Sequence, residues 1–325
     1  MQKTYDIFKY GKKVEWSIPV MFCAEPLWTS IYKVLKEYNI VAPKVNAYGC
    51  PACAWTGGRR PEKQLSSIKN LGKLFDYMNE CNAVPTFAFS YSDLKKEDLN
   101  DWFCNALLDI ALEHNTKFIV YSDLLKDYIR KKDPNAFIIA SVVKAHERFN
   151  GVNRIEEPTP ENETNYYNEL LKEYDMVVVR PEYSKKVLIE HPEYIDDISR
   201  IKVIINSLCV PGCPIINEHY KVCEKYRFGN DPSVSFECIR NRSPKFADKK
   251  NYGLLHSNSQ VKKLVKAGVK NLKLQGRGDG IPLEILLFLF YTQMFNSDGE
   301  AFSIMLEIAT KLYHEVMYIS QLQAS

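Results

Sequence analysis

A chain of 325 residues with 46% hydrophobic content can bury a large core, as one big domain or two smaller ones. Its 43 Lys and Arg nearly balance 40 Asp and Glu, and a net charge of +3 speaks against a broad nucleic-acid surface while leaving room for a local basic pocket. The opening MQKTYDIFKYGKKVEW lacks the apolar stretch of a signal peptide, and the longest apolar run, 281–291, is broken by Pro282 and Glu284 and is too short for the ~20 residues that span a bilayer. The expectation is a soluble, cytoplasmic protein without membrane insertion.

Apolar runs and amphipathic stretches alternate from the N-terminus onward. A strand is predicted over 14–22, ending at Cys23 and Glu25, with a helix over 26–38. The second strand, 41–47, leads into Tyr48, Cys50, Cys53, a Gly pair, Arg59 and Arg60, followed by a helical pattern over 62–81. Strand 84–89 ends at Ser90–Asp93 before a helix over 95–113, and strand 118–121 ends at Ser122 and Asp123 before a helix over 124–132. Strand 137–142 runs out near Ser141 and Lys144, with a helix over 161–173. Strand 176–179 gives Arg180, Glu182 and Tyr183, then a helical pattern over 184–201. Strand 203–205 is followed by Asn206, Ser207 and Cys209. The last unit has a basic helix over 259–266, Gly268 as its C-cap, and a strand over 269–274 that reaches Gln275, Gly276 and Arg277. Helices are also predicted over 281–294 and 301–321.

Short buried apolar runs separated by helices read as parallel strands joined by crossovers. Eight of them suit an α/β chain folded as a (β/α)8 TIM-like barrel, with a doubly wound open sheet as the alternative. The predicted layout is a single barrel domain over 1–325 with a cysteine-containing insertion, 209–250, between strands seven and eight. The polar part of that insertion, 225–250, shows no clear period.

Barrels of this type gather their chemistry at the C-terminal strand ends. Ser92, Asp93, Ser122 and Asp123 each precede a helical pattern and read first as caps. Arg180, Glu182 and Arg277 follow apolar strands directly, which favours a site. The candidate acid–base groups are Glu182 and Asp123, and Arg277, Arg180 and Arg59 are candidate anchors for an anionic substrate, with Tyr48 opening on the same end. Segment 49–60 is neither a Walker loop nor a dinucleotide fingerprint. Its Cys50-Pro51-Ala52-Cys53 reads as loop cysteines, extra metal ligands or a redox pair.

Nine cysteines need an explanation where disulfides are rare. Cys209, Cys213, Cys223 and Cys238 fall within thirty residues, with only the first pair tight. That spread suits a [4Fe-4S] cluster better than zinc, whose knuckles favour two tight pairs; plain cysteines are the third possibility.

Leu272-Lys273-Leu274-Gln275-Gly276-Arg277 is similar to the hydrophobic-Lys-hydrophobic-x-Gly-Arg strand of the U32 peptidase-like family. With the cysteines after strand seven, the chain resembles that family distantly. The family's Glu- and Gly-containing stretch before its first cysteine is missing, and its cysteine spacings are generally wider. The resemblance implies a barrel with a cysteine-bound [4Fe-4S] cluster and a role in hydroxylation of RNA or ubiquinone, with Arg277 as a pocket residue. On it rests the leading expectation, an iron–sulfur enzyme acting on an anionic, nucleotide or small-molecule substrate, fed by an electron donor or partner subunit. One alternative is a metal-free barrel enzyme acting on a phosphorylated or carboxylated metabolite. The other is a non-enzymatic barrel whose cluster or zinc holds the insertion as a partner-binding surface. Classical proteolysis lacks support, since no Ser/His/Asp, Cys/His or H-E-x-x-H arrangement assembles. Among the histidines, His114, His146, His219, His256 and His314 stand at no metal-pair spacing.

Overall fold

The computed structural model describes residues 14–22, 27–58, 68–207, 209–228, 233–244 and 254–276, together with Glu307, Thr310 and Lys311. The helices expected over 281–294 and 301–321 otherwise fall outside these residues.

Eight parallel strands close into a barrel in the order β1(Glu15–Ile18), β2(Val45–Gly49), β3(Ala83–Phe89), β4(Lys117–Val120), β5(Phe137–Ala140), β6(Met176–Val179), β7(Ile201–Ile204) and β10(Asn271–Lys273), which returns to β1. The open sheet is therefore not adopted. Closure is seen in the register Trp16↔Leu272 and Leu272↔Val203. Strand side chains alternate between two faces. In β6, Val177 and Val179 join the large cluster under the helices, whereas Met176 and Val178 join Tyr48, Cys50, Ala88, Ile119, Ile139 and Ile204 in the lumen.

Helices cover the outside because their apolar residues recur every three or four positions. In α1(Leu27–Glu37), Leu27, Trp28, Ile31, Val34 and Leu35 are buried, and Trp28 Nε1 donates to Cys81 O at 2.7 Å. Each such aliphatic side chain contributes about 1.5–3 kcal/mol of burial. The ring continues with α2(Leu71–Glu80), α3(Trp102–Glu113), α4(Asp123–Lys132) and α6(Pro160–Glu173). Before β10, α10(Asn258–Ala267) opens on a Ser257/Gln260 capping box and ends at Gly268 with φ +111°, the predicted cap.

Several elements differ from expectation for local reasons. The first strand stops at Ile18, ahead of Pro19 and of Val20 at φ +68°. The helix expected over 95–113 breaks at Asp101, whose carboxylate accepts from Cys104 N, leaving a 3-10 turn at Lys96–Asn100. The pattern 184–201 is not one helix. Three-residue α7(Pro181–Tyr183) passes into a π turn at Ser184–Leu188, and Pro192 opens a separate 3-10 turn. An unpredicted helix, α5(Val142–Phe149), starts at Ser141, whose Oγ accepts from Val143 N. Between β7 and β10 lies the expected excursion, built from β8(Asn206–Ser207), α8(Ile216–Lys225), α9(Ile239–Arg242) and β9(Leu254–Leu255), with β8 and β9 antiparallel. Among the described residues, no helix is long and apolar enough to cross a membrane.

Candidate functional site

The C-terminal mouth of the barrel is roofed by two pieces, α5 after β5 and the excursion after β7. Helix α8 spans the mouth. Asn217 Nδ2 donates to Asn150 O at 3.0 Å near one end, and Glu224 Oε1 accepts from Ser92 N at 2.9 Å near the other. Between them the Tyr220 ring meets His146, with centroids 5.9 Å apart. The turn between Cys209 and Cys213 is held in place by Gly212 at φ +63°, a conformation that favours glycine.

Beside this roof lies a cavity of about 590 Å³ lined by Asn150, Arg154, Glu163, Arg180, Glu182, Lys186 and Gly212, among others. Arg180 leaves β6 directly, and its Nε and Nη2 donate to Glu163 Oε2 and Oε1 at 2.9 and 3.1 Å. Glu163 stands in the first turn of α6, after the Thr159 N-cap and Pro160. Burial pushes its carboxyl up in pKa even against the Arg180 charge. Glu182 sits one residue into α7, and its Oε1 accepts from Gly212 N at 2.7 Å. Burial alone would raise the Glu182 carboxyl, but the His146 ring, the Arg180 guanidinium and the Gly212 N–H hold it below its ordinary value. It is a carboxylate that stays ionised, able to accept a proton or hold a charge but not to donate. His146 is pushed by burial down to about 4 and is neutral at pH 7.

The sequence-predicted residues divide. Arg180 and Glu182 line the cavity together, although two of Arg180's donor groups are committed to Glu163. Asp123 does not join Glu182. It begins α4, accepting from Tyr174 Oη at 2.5 Å and from Lys144 Nζ at 3.0 Å, and burial, Tyr174 and Lys144 set its pKa, with the balance lowered. The expected acid–base pair is thus two separate clusters. Tyr48 faces the lumen, where its hydroxyl donates to Leu274 O at 2.7 Å and the Lys273 ammonium lies 3.5 Å from its ring centroid. Arg59 and Arg277 lie outside the described residues. Cys50 packs in the lumen and Cys53 lies 3.3 Å from Thr56 Oγ1.

The four cysteines of the excursion are all thiols, none in a disulfide. Cys213 and Cys238 share one apolar cluster with Val210, Ile216 and Ile239, while Cys223 is buried on α8. Among the described residues, no three His, Cys, Asp or Glu side chains converge to hold a metal ion.

Sequence reasoning missed His146, Glu163 and Gly212. Spacing along the chain does not reveal His146, which meets Tyr220 and Glu182 across elements. Pro160 followed by Glu163 was the one local signal, as a helix start.

No family model matches the sequence, and no curated protein matches it. Among solved structures, the fold is similar to that of the U32 peptidase Mk0906, with a TM-score of 0.49 and 10% identity over 86% of this chain and 95% of that one. It is also similar to the carboxyl transferase domain of Rhizobium etli pyruvate carboxylase, with a TM-score of 0.45 and 12% identity over 96% of this chain and 49% of that one. The chain spans about half the length of the latter. The former belongs to the family that the 272–277 hexapeptide resembles, and both likenesses are distant.

Proposed function

We propose that this chain is a barrel enzyme whose active site is the mouth cavity and whose substrate is a small anionic molecule. The observation that carries this reading is the cavity of about 590 Å³ at the strand C-terminal ends, with Arg154, Arg180 and Lys186 around an ionised Glu182. Arg180 is paired with Glu163 and Arg154 with Glu157, so Lys186 is the lining cation that faces the opening outside these pairs, suited to a phosphate or carboxylate. Glu182 then serves as proton acceptor or fixed charge beside neutral His146. A thermal-shift screen of phosphorylated and carboxylated metabolites tests the reading. Anionic compounds should raise the melting temperature of the wild type but not of Lys186→Met, and neutral analogues should do neither. An equal response in both proteins would end it.

A second reading follows the sequence resemblance, a [4Fe-4S]-dependent hydroxylation or related group transfer supplied by an electron donor or partner subunit. What favours it is that Cys209, Cys213, Cys223 and Cys238 all belong to the excursion roofing the mouth, with Gly212, between the first two, bonded to Glu182. This reading requires the 209–238 segment to rearrange on loading, coupling metal binding to local folding. Protein prepared anaerobically with iron should then contain iron and sulfide. A single zinc instead would support a metal clamp and a partner-binding role, and metal-free protein would leave the first reading alone.

A further inference from the structure

The two cysteines of Cys50-Pro51-Ala52-Cys53 belong to different cores. Cys50 packs in the lumen with Tyr48, Ala88 and Ile119, whereas Cys53 joins the large cluster under the helices. There it meets Cys104, the third residue of α3, and the two thiols share a hydrogen bond. Both side chains are buried, Cys53 at 3% exposure and Cys104 at 0%. The contact is fixed from both sides. After Cys53 the chain turns, with Thr56 N donating to Cys53 O at 3.1 Å and Thr56 Oγ1 to Pro51 O at 2.5 Å. Trp55 Nε1 donates to Asp98 O at 2.8 Å, in the 3-10 turn ahead of α3. Cys104 is held by its own N–H, which donates to Asp101 Oδ1 at 2.8 Å.

The two sulfurs have different surroundings. The Cys53 sulfur faces the Cys104 S–H and the N–H groups of Trp55 and Thr56, which favour a thiolate. Cys104 lies beside the Asp101 carboxylate, which disfavours a second negative charge. Cys53 is thus the nucleophile, and Cys104 is the partner that keeps its proton. Two sulfurs already in hydrogen-bond contact need only a small movement to bond covalently.

We propose that Cys53 and Cys104 are a peroxide-sensitive pair that closes to a disulfide, stapling the segment after β2 to the start of α3. The oxidant is hydrogen peroxide, a neutral molecule little larger than water, because burial of both sulfurs shuts out a bulky disulfide such as oxidised glutathione. The Cys53 thiolate attacks one peroxide oxygen and the O–O bond breaks. The hydroxide released takes up a proton and leaves as water, and Cys53 becomes a sulfenic acid. Cys104 then gives up its proton and attacks the Cys53 sulfur, so that the S–S bond forms as the S–O bond breaks and the second oxygen leaves as water. Two thiols lose two electrons and two protons, and one peroxide becomes two waters. Neither cysteine lines the mouth cavity, so the pair stands or falls apart from the proposed function.

The test treats the reduced full chain with hydrogen peroxide, alkylates the remaining thiols in denaturant and maps the digest by mass spectrometry. The peptides carrying Cys53 and Cys104 should be linked, two hydrogens lighter than the reduced pair, and dithiothreitol should separate them. Oxidised glutathione at the same concentration should give at least tenfold less of the link in the same time. In Cys104→Ser the Cys53 sulfenic acid lacks its resolving partner and should be trapped by dimedone. Cys104→Ala gives the same readout if the serine variant folds poorly. In Cys53→Ser, Cys104 should stay reduced. Absence of the link, a Cys50–Cys53 link in its place, or equal dimedone labelling of Cys104 would overturn the pair. A link formed as fast by glutathione would overturn the choice of oxidant.

Discussion

The two ends of the barrel hold the same kinds of buried polar group but satisfy them to different degrees. At the N-terminal end of the lumen, Lys117 Nζ donates to Glu15 Oε1 at 2.9 Å, Lys202 Nζ donates to Ser17 Oγ at 2.8 Å, and Asn46 also donates to Glu15. Burial would raise the Glu15 carboxyl, yet Lys117 and Lys202 keep it below its ordinary value. At the C-terminal mouth, the Glu182 carboxylate has one oxygen bonded and one without a partner, beside the unpartnered Asn217 Oδ1 and a buried His146 that pairs with the Asn150 side chain. Polar groups that answer one another stabilise a fold and restrict its alternatives. Groups left unanswered cost stability and are kept where a ligand completes them. The lumen cluster, in which Asn46 Oδ1 is the one of these groups left unpartnered, reads as architecture, and the mouth cluster is the proposed site.

The comparison breaks most visibly at Arg180 and Glu163, an answered pair inside the mouth. Both side chains are about 5% exposed. Arg180→Met would leave Glu163 charged and buried, and should lower the unfolding free energy by about 3–5 kcal/mol, measured by urea denaturation. A change near zero would mean that Arg180 belongs with the substrate rather than with the scaffold. The Arg180→Met/Glu163→Leu double variant should recover much of the loss.

The lumen end is sharpened by pH. Lys202 is fully buried, and desolvation takes its ammonium down from an ordinary 10.5 to about 7, with Lys117 adding to the depression and Glu15 opposing it. Between these values the unfolded chain holds a proton that the folded chain lacks, so stability rises with pH from about 7 towards 10.5. Lys202→Met should flatten that rise in melting curves taken at pH 7, 8 and 9. An identical slope in the variant would place the charge elsewhere.

These two ends were not equally legible in the sequence. The eight strands were, because parallel strands buried on both faces leave short runs such as Met176–Val179 that helices separate. Helix α5 was not, because Val142 and Val143 extend an apolar strand and only the Ser141 cap marks the change. Residues 184–201 looked helical by composition, but the turn at Pro192–Tyr194 divides them. Arg180 and Glu182 could be found, since each follows β6 directly. Their partners Glu163, His146 and Gly212 come from three other elements, and only closure of the barrel brings them together. Asp123 follows β4 as Arg180 follows β6, but its carboxylate is held by Lys144 and Tyr174.

A smaller effect is expected at the turn that carries Gly212. A Cβ added there meets nothing within 4 Å, so Gly212→Ala has room and suffers only from the left-handed backbone. The cost should be about 1 kcal/mol. A larger loss would show that the turn, and with it the Gly212 N–H on Glu182, is part of the scaffold.

The most direct measurement sets the two carboxylates side by side in chelator-treated protein at pH 7. Urea denaturation of Glu15→Gln should show a loss of about 2–3 kcal/mol, because it leaves Lys117 and Lys202 facing each other without a counter-charge. Glu182→Gln should cost less than that, because only one of its oxygens is bonded, and the loss is limited to what His146, Arg180 and the Gly212 N–H give the carboxylate. If Glu182→Gln is destabilised as much as Glu15→Gln, the carboxylate at the mouth is scaffold, and the assignment of that end as the functional site is wrong.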